Sequence, residues 1–291
     1  MRAGRRTLGR AVMIATVGAL GGGLFAGQAL AQSNSGKLSF STGADVSHAY
    51  FFRGIVQERS GVVVQPYVDL TASLFEGDQG LNSVTLSVGQ WNSLHTGPSG
   101  NDGPAPNVGA WYESDFYTGV GFGVDNWEFG LTYTSYLSPN DSFGTVKELA
   151  LSLAGDDSAW LGRFSLSPHI LMAIELDGQA DGGSGEGVYL ELGVEPGYTF
   201  DGGRVPISLT FPVTLGISMS DYYEASPGDD DTFGYVSLGV VGSTPIPLSD
   251  AYGAWEFSVG VHLLSLGDAL ASFNAGDEFQ PVATFGVGIS Y

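Results

Sequence analysis

Apolar residues alternate with small or polar ones through most of this chain, and the alternation is clearest at the C-terminus. Ala283, Phe285, Val287, Ile289 and Tyr291 share one parity, against Thr284, Gly286, Gly288 and Ser290. The run before it sets Trp255, Phe257, Val259, Val261 and Leu263 against Glu256, Ser258, Gly260 and His262. Further back, Ile207, Leu209, Phe211, Val213, Leu215, Ile217 and Met219 alternate with polar or small partners over 13 residues. Period two marks a strand with two unlike faces. Strands of soluble proteins average about five or six residues, whereas a tilted membrane-spanning strand takes about nine to eleven.

Twelve such runs are predicted, near 37–53, 62–75, 83–94, 109–123, 127–137, 146–155, 160–175, 187–200, 205–220, 232–244, 253–266 and 280–291. An even number suits a bacterial single-chain barrel. The links after even-numbered runs are mostly short, as at Val124-Asp125-Asn126, Asp156 to Ala159 and Asp201 to Arg204. The links after odd-numbered runs are mostly longer and more polar, as at His95 to Val108, Leu176 to Glu186, Asp221 to Asp231 and Gly267 to Phe279. Short periplasmic turns and long extracellular loops have this asymmetry. The expected fold is all-β: a transmembrane antiparallel up-and-down barrel of about twelve strands.

The first 31 residues read differently. Arg2, Arg5, Arg6 and Arg10 precede an apolar stretch from Ala11 to Gly27, and Ala29-Leu30-Ala31 forms a small-x-small cleavage site. That order is a secretory signal peptide, leaving 32–291 as one barrel domain without a linker or repeat. Removal of the signal leaves six basic against 31 acidic residues, a net charge of −25. Such a chain has no electrostatic reason to bind nucleic acid. It has no cysteine and hence no disulfide staples. Charged residues make up 14%, well below the roughly 25% of soluble domains, so the composition suits lipid on one face and water on the other. The predicted outward faces of the seventh, eighth, ninth, eleventh and twelfth runs are free of charge. Tyr112, Phe116, Phe122, Trp127, Trp255 and Tyr291 suit interfacial aromatic girdles.

Ser47-His48-Ala49-Tyr50-Phe51-Phe52-Arg53-Gly54-Ile55, then Gln57, Gln65-Pro66 and Asp69, then Tyr133 to Pro139 and Glu148-Leu149, form a recognisable series. It resembles the TorF-type porins, a family of small bacterial outer-membrane proteins, over roughly residues 38–155. The resemblance implies location and fold. It brings no catalytic residues.

Candidate chemistry lies on the inward parity. Asp45, Asp69, Glu113, Asp115, Glu128, Glu148, Glu175, Glu191, Glu195 and Glu256 face the lumen, against Arg53 and Arg163, a net interior charge of −8. Charged rings set pore selectivity, so the expectation is a cation-preferring channel for small hydrophilic solutes or ions. The alternative is a non-conducting structural or adhesive barrel. In that case Tyr67, Trp111, Tyr117, Tyr189 and Arg53 donate to the carboxylates and seal the lumen. Arg53 is expected at the top of the first strand, in an ion pair that anchors the first loop. Barrel enzymes need a serine and histidine in reach of each other. His48, His95, His169 and His262 are the available histidines. Of these, His95 reads as solvated, and Ser165 and Ser167 flank His169. Weakly bound calcium or magnesium is the one ion expectation, at Asp229-Asp230-Asp231 and at Asp177, Asp181 and Glu186. The spacing matches no EF-hand, and a solvated loop is the plainer reading. Lipopolysaccharide, outer-membrane lipid and the barrel assembly machinery are the expected partners, with terminal Tyr291 as the assembly signal.

Overall fold

The computed structural model describes residues 36–97, 99 and 110–291. The expected signal peptide and part of the second long link lie outside them. Among the described residues sixteen strands form: β1 (Leu38–Ser47), β2 (Tyr50–Phe52), β3 (Ile55–Glu58), β4 (Val63–Glu76), β5 (Leu81–His95), β6 (Trp111–Val124), β7 (Trp127–Leu137) and β8 (Val146–Gly155), then β9 (His169–Asp177), β10 (Val188–Val194), β11 (Gly197–Phe200), β12 (Ile207–Thr210), β13 (Val213–Ser220), β14 (Phe233–Ile246), β15 (Ala254–Leu266) and β16 (Phe279–Ser290). The short helices α1 (Ser158–Leu161) and α2 (Asp268–Phe273) sit in links.

Fourteen of the strands make one antiparallel sheet that closes on itself. β1 pairs with both β4 and β16, and β15 pairs with both β16 and β14. β10 and β11 form one stave interrupted at Glu195-Pro196, and β12 and β13 another interrupted at Phe211-Pro212. Each stave resumes its pairing beyond the break. The product is a closed twelve-stave barrel. Closure leaves no open sheet edge, the condition for placing backbone polar groups in lipid.

The alternation does what its period dictates. On β16, Phe285 and Val287 point outward and are exposed, whereas Thr284, Gly286, Gly288 and Ser290 point inward. Leu70, Val88, Leu131, Leu151, Val240 and Val261 continue an exposed apolar belt around the wall. No helix among the described residues is long and apolar enough to cross a membrane. The strands do the crossing.

Two boundaries depart from the sequence reading. The first strand ends at Ser47, short of 53. The chain then turns into the barrel, and Tyr50, Phe51 and Phe52 are all buried, which no half-exposed wall strand would give. The seventh begins at His169 in place of 160. Residues 158–164 form α1 and a 3-10 turn because the Asp157 carboxylate accepts the Leu166 and Ser167 amides and the Ser165 hydroxyl, folding the segment back on itself. The link after the sixth stave is therefore long, not the tight turn expected at Asp156 to Ala159. The other links at this end, which also holds both described termini, stay short.

A plugged acidic lumen

β2 and β3 pair as a hairpin of their own, apart from the barrel sheet. Phe52 faces Ile55 across the two-residue turn Arg53-Gly54, where both φ angles are positive, +48° and +84°. A turn of this sign matches the twist of an antiparallel pair. Glycine at 54 is also required sterically: a Cβ there would sit 2.5 Å from Leu270 Cδ1 and 2.9 Å from the Tyr235 ring.

The hairpin lies inside the long-loop half of the barrel. Tyr50 meets Trp91 at 5.6 Å between ring centroids, and Phe52 meets Tyr136 at 5.3 Å. Tyr222 and Tyr223, from the link between β13 and β14, pack beside Tyr189. α2 buries Ala269, Leu270 and Ala271, and Arg59 donates to the Phe273 carbonyl at 2.6 Å. Wall glycines make room for rings: a Cβ on Gly216 would collide with Tyr235. An aromatic core thus fills the end of the barrel bearing the long links. Below it the inward residues Thr71, Ser87, Thr132 and Glu128 remain partly exposed.

Arg53 is the centre of the plug. It is 2% exposed. Its Nη1 and Nη2 donate to Glu148 Oε2 and Oε1 at 2.5 and 2.8 Å. Nη1 also donates to the Tyr222 hydroxyl at 2.8 Å. The guanidinium carbon lies 4.5 Å from the Tyr189 ring centroid and 4.9 Å from that of Phe52. Tyr136 donates to Glu148 Oε1 at 3.2 Å, and the Tyr223 hydroxyl donates to the Arg53 carbonyl at 3.0 Å.

Asp45, Glu113, Asp115, Glu148, Glu175, Glu191, Glu195 and Glu256 are buried on the inner wall, and Asp69 and Glu128 half-buried. Tyr117 donates to Asp69, and Tyr189 donates to Glu191 at 2.7 Å. Glu175 receives the Ala180 and Gly187 amides, both at 2.7 Å. Glu58 on the hairpin adds a further buried carboxyl, which the sequence reading did not place there. Tyr291 closes the ring at its other end, exchanging two backbone hydrogen bonds with Phe40 while its side chain stays exposed.

Several residues fall elsewhere than expected. Arg163 is exposed on the 3-10 turn outside the lumen, because strand geometry does not extend back to it. Ser165 and Ser167 share that segment and do not flank His169 on a strand face. Trp111 is exposed, donating to Asn92, and Tyr112 is buried inward. A bulge there opposes Leu94–Ser93 to Trp111–Glu113 and leaves Tyr112 over, and an extra residue inverts the facing on one side of it. Tyr112 is therefore no girdle residue. His95 is buried rather than solvated: it stacks on Tyr112 at 4.3 Å and bonds Ser93 Oγ and Ser99 Oγ, each at 2.8 Å. Ser93 is fully buried, so this serine–histidine pair presents no face to a substrate. The loop acids are engaged by the chain itself: Asp181 accepts the Gly183 and Glu224 amides, Asp230 the Ser218 hydroxyl, and Asp231 the Ala269 amide. Among the described residues no group of three or more His, Cys, Asp or Glu converges to hold a metal.

A closed antiparallel twelve-stave barrel with an apolar belt and a polar interior is the fold of porin-like outer-membrane barrels. No family model matches the sequence, and no curated protein matches it. Similar solved structures include the NanC porin, at 11% identity and TM-score 0.39 over 87% of this chain and 98% of that one. The translocator domain of the autotransporter NalP from Neisseria meningitidis gives 12% and 0.43, over 89% of both chains. A bacterial polysaccharide outer membrane secretin gives 10% and 0.47, over 87% of this chain and 98% of that one. These likenesses are distant, and the barrel stands on its own strand pairings.

Proposed function

We propose that this chain is a porin-like channel of the bacterial outer membrane for small hydrophilic solutes, cation-preferring, and closed at rest by the 50–58 hairpin. The carrying observation is the acid-dominated lumen. Ten wall carboxyls face inward, against the hairpin's Arg53 and the half-buried Arg59 at its base. Rings of carboxylates favour cations in narrow pores. Twelve strands lie between the side-chain-filled eight-stranded barrels and the open sixteen-stranded porins, a diameter at which the hairpin packed with α2 and the Tyr222-Tyr223 link can close one end. On this reading the short links and Tyr291 face the periplasm, and the long links face outward to lipopolysaccharide.

A second reading is favoured by one specific observation, the aromatic packing of the long-loop half. If that packing never opens, the barrel is a non-conducting structural or adhesive element. Single-channel recording of the reconstituted chain separates the two. Steady currents with cation-selective reversal potentials support the channel. Silence from an intact barrel, with the hairpin present and with it removed, supports the structural reading.

A further inference from the structure

The groups that hold Arg53 belong mostly to the wall. Glu148 is on β8, Tyr136 on β7 and Tyr189 on β10, with Tyr222 on the link that follows β13. Withdrawal of the hairpin would take away Phe52 and leave the carboxylate and three tyrosines behind.

What remains has the shape of a receptor for a planar cation. The carboxylate presents both oxygens to two coplanar nitrogens at 2.5 and 2.8 Å. A phenol oxygen accepts from one of those nitrogens at 2.8 Å. The Tyr189 and Tyr222 rings lie 4.5 and 5.6 Å from the guanidinium carbon. A fork-to-fork pair with flanking rings suits guanidinium and is poorly used by an ammonium point charge.

Two details separate this from an ordinary structural ion pair. The grip is on Nη1 and Nη2, the far end of the group, while Nε is buried without a hydrogen-bond partner. The wall therefore reads the head group alone, and any solute that presents a guanidinium head first offers the same two nitrogens. Arg53 also delivers its head from a left-handed backbone position, φ +48°, at a turn site where asparagine, aspartate or glycine is the easy choice. Such strain gathers where a side chain is held for a function.

We propose that Glu148, Tyr136, Tyr189 and Tyr222 form a recognition site for small alkylguanidinium solutes, which Arg53 occupies in the closed state as a tethered stand-in. As a permeant site this rests on the channel reading. As a binding site it does not, so binding and conduction are measured apart.

The test is calorimetric titration of the full chain, folded in detergent, with methylguanidinium and with methylammonium. The variants are Arg53→Gly and Arg53→Asn, both suited to the left-handed turn. The expected result is methylguanidinium binding at least tenfold tighter than methylammonium in either variant. Binding is lost when Glu148→Gln is added and is much weaker in the wild type. A folded variant that binds neither cation, or binds both equally regardless of Glu148→Gln, overturns the proposal. Should neither variant fold, amide exchange at Phe51 to Val56 in the wild type decides: acceleration by methylguanidinium but not methylammonium supports it, and no difference overturns it. Binding without any conductance would overturn the channel reading and leave the site standing.

Discussion

The two terminal nitrogens of Arg53 grip both carboxylate oxygens of Glu148, tying a hairpin tip to a barrel strand 95 residues further along the chain. Both side chains are 3% exposed. Removing one partner of such a buried pair costs about 3–5 kcal/mol, because the other charge is left uncompensated. Arg53→Ala should therefore lower the urea midpoint and expose the hairpin to protease. Arg53→Ala combined with Glu148→Gln should recover part of the loss, because no buried charge remains unpaired. Equal midpoints and equal cleavage in wild type and Arg53→Ala would mean that the pair is not the latch.

Gly54→Ala tests the fit of the tip directly. The added methyl meets Leu270 and Tyr235, and φ is +84°, so strain and collision act together. Overpacking of this kind costs about 1–3 kcal/mol. The strand pairings of the barrel wall are unchanged, so the expected outcome is an intact, heat-modifiable band on gels with faster amide exchange at Phe51 to Val56. Exchange as slow as in the wild type would show that α2 yields freely.

Glu58 gives the plug a pH dependence. Burial pushes its carboxyl above the ordinary 4.5, against the pull of the Ser60, Arg59 and Gly97 amides. His95 Nδ1 is 4.0 Å away and already bonded to Ser99. A group with a raised folded-state value favours the folded form while protonated. Its contribution is present at low pH and is lost as pH rises through the raised value. Glu58→Gln stays neutral throughout. The melting temperature of that variant should gain on the wild type as pH increases above 4.5, and a constant offset would contradict the assignment.

The turn over 156–168 should sit in the membrane interface. Trp160 is 74% exposed and Phe164 69%, while Arg163 lies 5.1 Å over the Phe164 ring. Aromatic rings with an adjacent cation favour the headgroup level. Trp160 fluorescence, read as the difference between wild type and Trp160→Phe, should be quenched by lipids brominated near the headgroup. Quenching only by aqueous iodide would place the turn in water.

Much of the barrel is legible in the sequence because lipid and water impose opposite demands on alternate residues, and that pattern holds along most of the wall strands from β1 to β16. The plug is illegible for the same reason. Tyr50-Phe51-Phe52 reads as the continuation of a strand, since periodicity carries no record of a chain entering its own barrel. Arg53-Gly54, a turn-like dipeptide between two apolar stretches, is the residue pair that marks the hairpin. Trp160, Phe164 and Leu166 share one parity and imitate a wall strand, and only the Asp157 carboxylate bonding back to Leu166 and Ser167 reveals a loop. The inversion at Tyr112 depends on one bulge against Leu94, which no pattern of apolar residues announces. Ser93-Leu94-His95 does carry a signal of burial: a strand places its i and i+2 side chains on one face, which puts His95 beside Ser93.

A cation-preferring lumen closed by a removable hairpin has an electrical signature: reversal potentials in planar bilayers under a potassium chloride gradient, for the wild type and for a variant with residues 49–59 replaced by a short glycine–serine linker. Small or rare currents are expected from the wild type, and a larger conductance from the variant with a reversal potential of the sign for potassium over chloride. A folded variant that stays silent, or whose potential shows chloride preference, would contradict it.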